Sequence, residues 1–234
     1  MTNLEAQLFE ATHLDLTRAA LIASGVETEG ELKGYLSQID CLRGQIDIEL
    51  SQEDGAGRAK AIFGWLWKSK PGRYKRQGNF RLTQVLEAQL SELTEAVGNC
   101  LGLTVLYNVL CHKFGIEVRA VYMDNAFNLG PHVFSILPCP RRSIDVENIF
   151  LYGFDYQGHL NNPGRWEWGD RELVADIYLS LGNDLFELGD LTGAIANYKK
   201  AIRLNSRYLK AYHNIGLALA KLGKAEEAEE YLVK

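Results

Sequence analysis

A self-similar period of 34 residues in the last part of the chain constrains its fold more than any other feature. Tyr178, Leu181, Gly182, Leu185, Gly189, Ala194 and Tyr198 return, 34 positions later, as Tyr212, Ile215, Gly216, Leu219, Gly223, Ala228 and Leu232. A repeat of this size is a unit that cannot bury its own apolar face, so neighbours must stack. An array generally needs about three units or a cap to stand alone. Two copies are legible, over 175–208 and 209–234, and the second breaks off before its period is complete. The expectation is that the array docks on the rest of the chain through an aromatic segment, or that more repeats follow.

The pattern resembles the tetratricopeptide repeat. That resemblance implies pairs of antiparallel helices, with small residues at Gly182 and Ala194 letting the helices approach and the larger ones filling the space between them. Ser206 stands where the repeat usually ends in Pro. A peptide or protein held in the concave groove is the implied partner. The run Glu226-Glu227-Ala228-Glu229-Glu230 reads as a solvated helix face.

The remaining 170 residues are long enough for a core of their own, and a domain boundary near 170 is expected. Net charge is −5 and the basic residues are scattered, which argues against a nucleic-acid groove. The amino terminus lacks the basic and apolar regions of a signal peptide, and no apolar run reaches the roughly 18 residues of a membrane span. Four cysteines without a CxxC pair, Cys41, Cys100, Cys111 and Cys139, argue against a zinc knuckle or disulfide framework and for a reducing, cytoplasmic setting.

Residues 1 to about 70 read as helical. Leu14, Leu21 and Ile22, then Leu32, Leu36, Ile39, Leu42 and Ile46, keep helical spacing; Ala59, Ile62, Phe63, Leu66 and Trp67 share a face. Lys68, Lys70, Arg73, Lys75, Arg76 and Arg81 put six positive charges into fourteen residues. They read as a solvated loop, with an anion or acidic-peptide contact as the sharper alternative.

A further helix fits Leu82–Leu93, and Gly98-Asn99 then supply turn and cap chemistry for a nearly unbroken apolar helix from Cys100 to Phe114, stopped by Gly115. Short runs at 116–123, 132–137 and 142–149 are rich in Val, Ile, Phe and Tyr and read as an antiparallel three-strand meander. The fold class is α+β: a helical amino-terminal portion, a cysteine-bearing helix packed on an antiparallel sheet, then all-helical repeats. Residues 150–170, with Phe150, Tyr152, Phe154, Tyr156, Trp166 and Trp168, read as an aromatic linker packed on the core.

Cys100 opens a helix, where the unpaired N–H groups and the positive end of the dipole favour a thiolate. His132 and Asp145 follow in strand-like runs, giving nucleophile, base and orienting carboxylate in chain order. The Cys100 N–H is one oxyanion donor, with the amides of Gln89 and Asn99 as candidates for a second. Cys41, Cys111 and Cys139 read as helix or loop thiols, and His112 and His159 as ordinary structural histidines.

Gly98-Asn99-Cys100, His132-Val133-Phe134 and Ile144-Asp145-Val146, with reacting residues 32 and 13 positions apart, resemble the transglutaminase-like superfamily of the papain-type fold. Its motifs are Gly-x-Cys, His-Val-Trp and Val-Asp-Pro, so Phe134 and Val146 are departures that remove no reacting group. The likeness is nearest to the bacterial SirB-type branch, often followed by tetratricopeptide repeats, and its motifs cover about 55–155. It implies a Cys-His-Asp thiol enzyme that transfers or hydrolyses an acyl group without metal or organic cofactor. The competing class is a non-enzymatic interaction scaffold in which an inactive core is retained and the repeats carry the function.

Overall fold

The computed structural model describes residues 2–46 and 54–233. The stretch 47–53 of the expected helical region, with Met1 and Lys234, lies outside the described residues. In chain order the elements are α1 (Asn3–Glu10), α2 (Leu16–Ala23), α3 (Glu29–Gln45), α4 (Gly55–Ser69), α5 (Leu82–Leu90), α6 (Cys100–Lys113), β1 (Arg119–Met123), β2 (His132–Leu137), β3 (Ile144–Val146), β4 (Arg165–Trp168), α7 (Asp170–Glu187), α8 (Leu191–Leu204), α9 (Leu209–Lys221) and α10 (Ala225–Leu232). They fall into two compact units, Asp15–Asp170, and Met1–Leu14 together with Arg171–Lys234.

In the first unit, short polar residues start the helices. Asp15 accepts from the Arg18 N–H, Asp54 from Gly57 and Asn99 from Gly102, and Thr28 and Glu31 form a reciprocal capping box. α6 is buried continuously from Leu101 to Cys111, as its all-round apolar sequence requires. It packs on β2, all six of whose residues are buried.

The sheet has four antiparallel strands in the order β3-β2-β1-β4. The fourth strand corrects the linker expectation for the aromatic segment. Arg165–Trp168 pairs with β1, and the Trp168 ring stacks on Tyr122 at 4.3 Å. A buried indole stacked on a strand tyrosine outweighs the turn-rich composition just before it.

The basic loop is likewise not simply solvated. Lys70 Nζ donates to the Ser91 and Thr94 carbonyls, and Arg76 to the Leu129 carbonyl. Arg73 is 2% exposed beside the Trp67 ring, and burial pulls its guanidinium down to about 9.

In the second unit, α7 with α8 and α9 with α10 are the two copies of the 34-residue period. The glycines at equivalent positions show why the pattern holds. A Cβ on Gly182 would run into the Tyr198 ring, and one on Gly216 would come within 2.6 Å of Leu232, which occupies the matching place 34 residues after Tyr198.

α1 belongs with this unit rather than with the helical amino-terminal portion. Its Glu5 accepts from the Tyr178 hydroxyl at 3.0 Å and from Lys200 at 2.7 Å, and Phe9 lies between the Tyr178 ring and the Arg203 guanidinium. Among the described residues no helix is long and apolar enough to cross a membrane.

Candidate active site

Two close approaches fix the start of α6. A Cβ on Gly98 would stand 2.6 Å from the Asn79 carbonyl oxygen, and one on Gly102 would overlap the same atom and Val85. Only glycines let the chain at 79–80 lie against this turn, where the Asn99 N–H donates to Asn79 at 2.9 Å. From the other side, Lys75 donates to the Gly98 carbonyl, Val97 donates to the Arg73 carbonyl, and Tyr74 forms a parallel bridge with Gly98. Cys100, half-buried, is thereby held at the helix N-terminus with its N–H outside the intrahelical ladder.

His132 begins β2, opposite Met123 of β1, and is 6% exposed. Its Nε2 lies 2.7 Å from Glu147 Oε2, and Cys100 is near enough to the ring to act on its titration. Burial works against a charged imidazole here, but the hydrogen bonds and charges of Cys100 and Glu147 outweigh it and raise His132 to about 10. Burial pushes Glu147 up while the bonds from His132 and His159 pull it down more strongly, so it stays below its ordinary value. The arrangement therefore sets a buried imidazole between the Glu147 carboxylate and Cys100.

Asp145 does not hold this imidazole. It is 1% exposed and bound bidentately by Arg165, whose two Nη atoms lie 2.7 and 2.8 Å from its oxygens. The register gives the reason. Asp145 lies opposite Ile136, four residues along β2 from His132, roughly 13 Å at the rise of a strand. Glu147, two residues further on, is on the same face and at the right end. Chain order and the Ile-Asp-Val context pointed to Asp145, whose carboxylate is bound by Arg165.

His159, read from sequence as a structural histidine, is also in this cluster. Its Nε2 lies 3.0 Å from the same Glu147 oxygen, and Tyr156, Phe127 and Phe134 surround its ring. Phe127 stands edge-on to His132 as well, at 5.5 Å. Phe127 and Asn128 both take left-handed backbone, at φ 54° and 57°, a pairing that non-glycine residues rarely sustain without support. Phe150 and Tyr156 complete this aromatic wall over the imidazoles. The only sequence signal for His159 was its place among aromatic residues.

His132, Glu147 and His159 bring three ligand-type atoms within 4.8 Å of one another, the group that would hold a metal if one bound. Their N···O separations of 2.7 and 3.0 Å are hydrogen-bond lengths. Ligands around a tetrahedral ion with bonds of 2.0–2.2 Å would sit roughly 3.4 Å apart.

A buried polar chain ties α6 to the sheet behind the site. Asn148 donates to Ser135 at 2.8 Å and to Thr104, Ser135 donates to Asn108 at 2.6 Å, and Thr104 donates to the Val133 carbonyl. These bonds join the helix bearing Cys100, the strand bearing His132 and the turn after Glu147.

Of the two amide candidates, Gln89 gives one Nε2–H to Ser69 of α4 at 3.0 Å. Asn99 spends its carbonyl oxygen on the Gly102 N–H as the helix cap. Tyr74, which sequence reasoning passed over, borders the site: burial first, then the charges of Cys100 and Glu147, raise its phenol. Cys111 is buried, its thiol pushed up to about 12 by burial. His112 Nε2 lies 3.2 Å from the Val118 carbonyl, a structural contact.

A family match falls in the second unit. Residues 182–223 match the family described as TPR repeat. The match runs from the end of α7 through α8 and α9. An uncharacterized protein of Methanocaldococcus jannaschii is 41% identical over 56 residues, which cover 24% of this chain and 65% of that relative's length. No solved structure matches the chain. The tetratricopeptide match marks a protein-interaction module, and the repeats carry a pocket lined by Asn183, Phe186, Tyr198, Asn214 and Leu217.

Proposed function

We propose that the chain is a cysteine-dependent acyl-transfer or amide-hydrolysing protein of the transglutaminase-like, SirB-type kind, carrying a tetratricopeptide module that recruits a peptide or protein. The observation that carries this reading is His132 hydrogen-bonded to the fully buried Glu147, with the Cys100 thiol beside the imidazole at a helix N-terminus. Glu147 takes the orienting role that the resemblance gave to Asp145.

In the proposed reaction the Cys100 thiolate attacks an amide carbonyl carbon, and the oxyanion forms against the Cys100 N–H. The C–N bond then breaks, and the His132 proton passes to the leaving amine. Water or a second amine attacks the thioester, giving its proton to His132 and releasing the Cys100 thiolate. Glu147 holds the imidazole orientation and balances its charge throughout.

A second reading is favoured by the repeat match: an interaction protein whose function lies in the tetratricopeptide groove. Hydroxylamine trapping separates the two. Peptide amides incubated with the full chain and hydroxylamine should yield hydroxamates in a Cys100-dependent manner. Product formation unchanged by Cys100→Ala, or absent across a broad peptide library, would overturn the enzyme reading.

A further inference from the structure

The Glu147 carboxylate carries a second imidazole that the proposed chemistry does not use. His159 is 3% exposed, and its Nε2 reaches the same Oε2 that His132 reaches. Among the described residues, the other Glu147 oxygen accepts one long contact, 3.4 Å, from the Ile149 N–H. Without His159, a side chain with several rotatable bonds would depend on His132 alone for its aim.

The His159 ring is itself fixed. Phe134, Phe127 and Tyr156 lie within 4.8 to 5.0 Å of it, centroid to centroid. Its backbone carbonyl accepts from Arg165 at 3.0 Å, and that Arg165 is the guanidinium clamped by Asp145. Asp145 thus connects to the site through the backbone of His159. Tyr74 and Cys100 are further titratable groups near the carboxylate, and Tyr156 faces the His159 ring.

We propose that His159 is a positioning residue: by donating Nε2–H to Glu147 Oε2 it holds the carboxylate in the one orientation that receives the His132 Nε2–H. The inference rests on the Cys100, His132, Glu147 reading of function. It makes the working unit four residues long, with the aromatic wall of Phe127 and Tyr156 keeping water off the shared oxygen.

The test compares the full-length wild-type chain with His159→Gln, which keeps an amide N–H near the position of Nε2, and His159→Leu, which keeps apolar bulk without a donor. Two readouts are taken: the rate of Cys100 alkylation by iodoacetamide from pH 5 to 9, and the downfield proton resonance of His132 Nε2–H. In His159→Leu the rate at pH 6 should fall about tenfold, the scale of one hydrogen bond to a charged group, and the resonance should shift. His159→Gln should restore both to near wild type. If His159→Leu does not fold, His159→Asn, whose amide is one bond too short, replaces it. Wild-type rate and resonance in the variant without a donor overturn the proposal. A wild-type chain whose Cys100 shows no preference at pH 6 removes the functional reading instead, and the resonance then tests the His159 contact by itself.

Discussion

His132 Nε2 and Glu147 Oε2 lie 2.7 Å apart with the carboxylate wholly removed from solvent, while Asp145, two residues earlier on the same strand face, is committed to Arg165. The two acids therefore do different work, and substituting each should separate their roles. Glu147→Gln should slow Cys100 alkylation at pH 6 at least tenfold, because a charge-assisted hydrogen bond to the imidazolium is lost.

Asp145→Asn should act chiefly on stability. It leaves the partly exposed Arg165 with half its partner, at a cost of roughly 1–3 kcal/mol, while Cys100 reactivity changes less than in Glu147→Gln. Urea denaturation and alkylation on the same samples check this. Equal effects of the two substitutions on the alkylation rate would contradict it.

The imidazolium–carboxylate pair makes stability pH-dependent in a definite direction. His132 is raised from 6.5 to about 10, so its contribution is complete below 6.5 and is lost as pH rises through about 10. Glu147 is lowered from 4.5, so its contribution is complete above 4.5 and is lost as pH falls below that value. The melting-temperature difference between wild type and Glu147→Gln should be largest between those ordinary values and shrink towards pH 10. A flat difference from pH 5 to 10 would contradict the pairing.

The chain Asn148, Ser135, Asn108, Thr104 sets the position of α6 against β2. Ser135→Ala removes its central hydroxyl and strands buried amide groups, which should cost about 1–3 kcal/mol. Because this chain links the Cys100 helix to the His132 strand, alkylation of Cys100 should slow as well. A stability loss with an unchanged alkylation rate would show that helix position is set elsewhere.

In the repeats, Gly182→Ala places a methyl group against the Tyr198 ring. Overpacking costs about 1–3 kcal/mol and better helix propensity returns about 1, so a net loss is expected. Adding Tyr198→Leu should relieve it in a double-mutant cycle, and additive losses would contradict the contact.

How far the sequence could be read depended on whether the determining contacts were local. The repeat was plain because Gly182 and Gly216 answer the same packing demand at a fixed interval. The start of α6 was legible because Asn99 caps its own helix. His132, expected from its context, heads β2, but its carboxylate partner was not expected, since strand register decides between Asp145 and Glu147 and depends on which residue of β2 lies opposite. His159 and β4 were missed because turn-rich composition says nothing about which strand edge or carboxylate a segment returns to. The bond from Gln89 to Ser69, on another helix, had no local signal either.

The proposed chemistry requires Cys100 to be an activated nucleophile governed by His132 and Glu147. Brief alkylation of the full chain with iodoacetamide at pH 6, followed by peptide mapping, tests it most directly, because an ordinary thiol is almost wholly protonated there. Cys100 should be labelled well ahead of Cys41, Cys111 and Cys139, and His132→Gln should erase the preference. Labelling of Cys100 no faster than exposed Cys41, or a preference that survives His132→Gln, would contradict the claim.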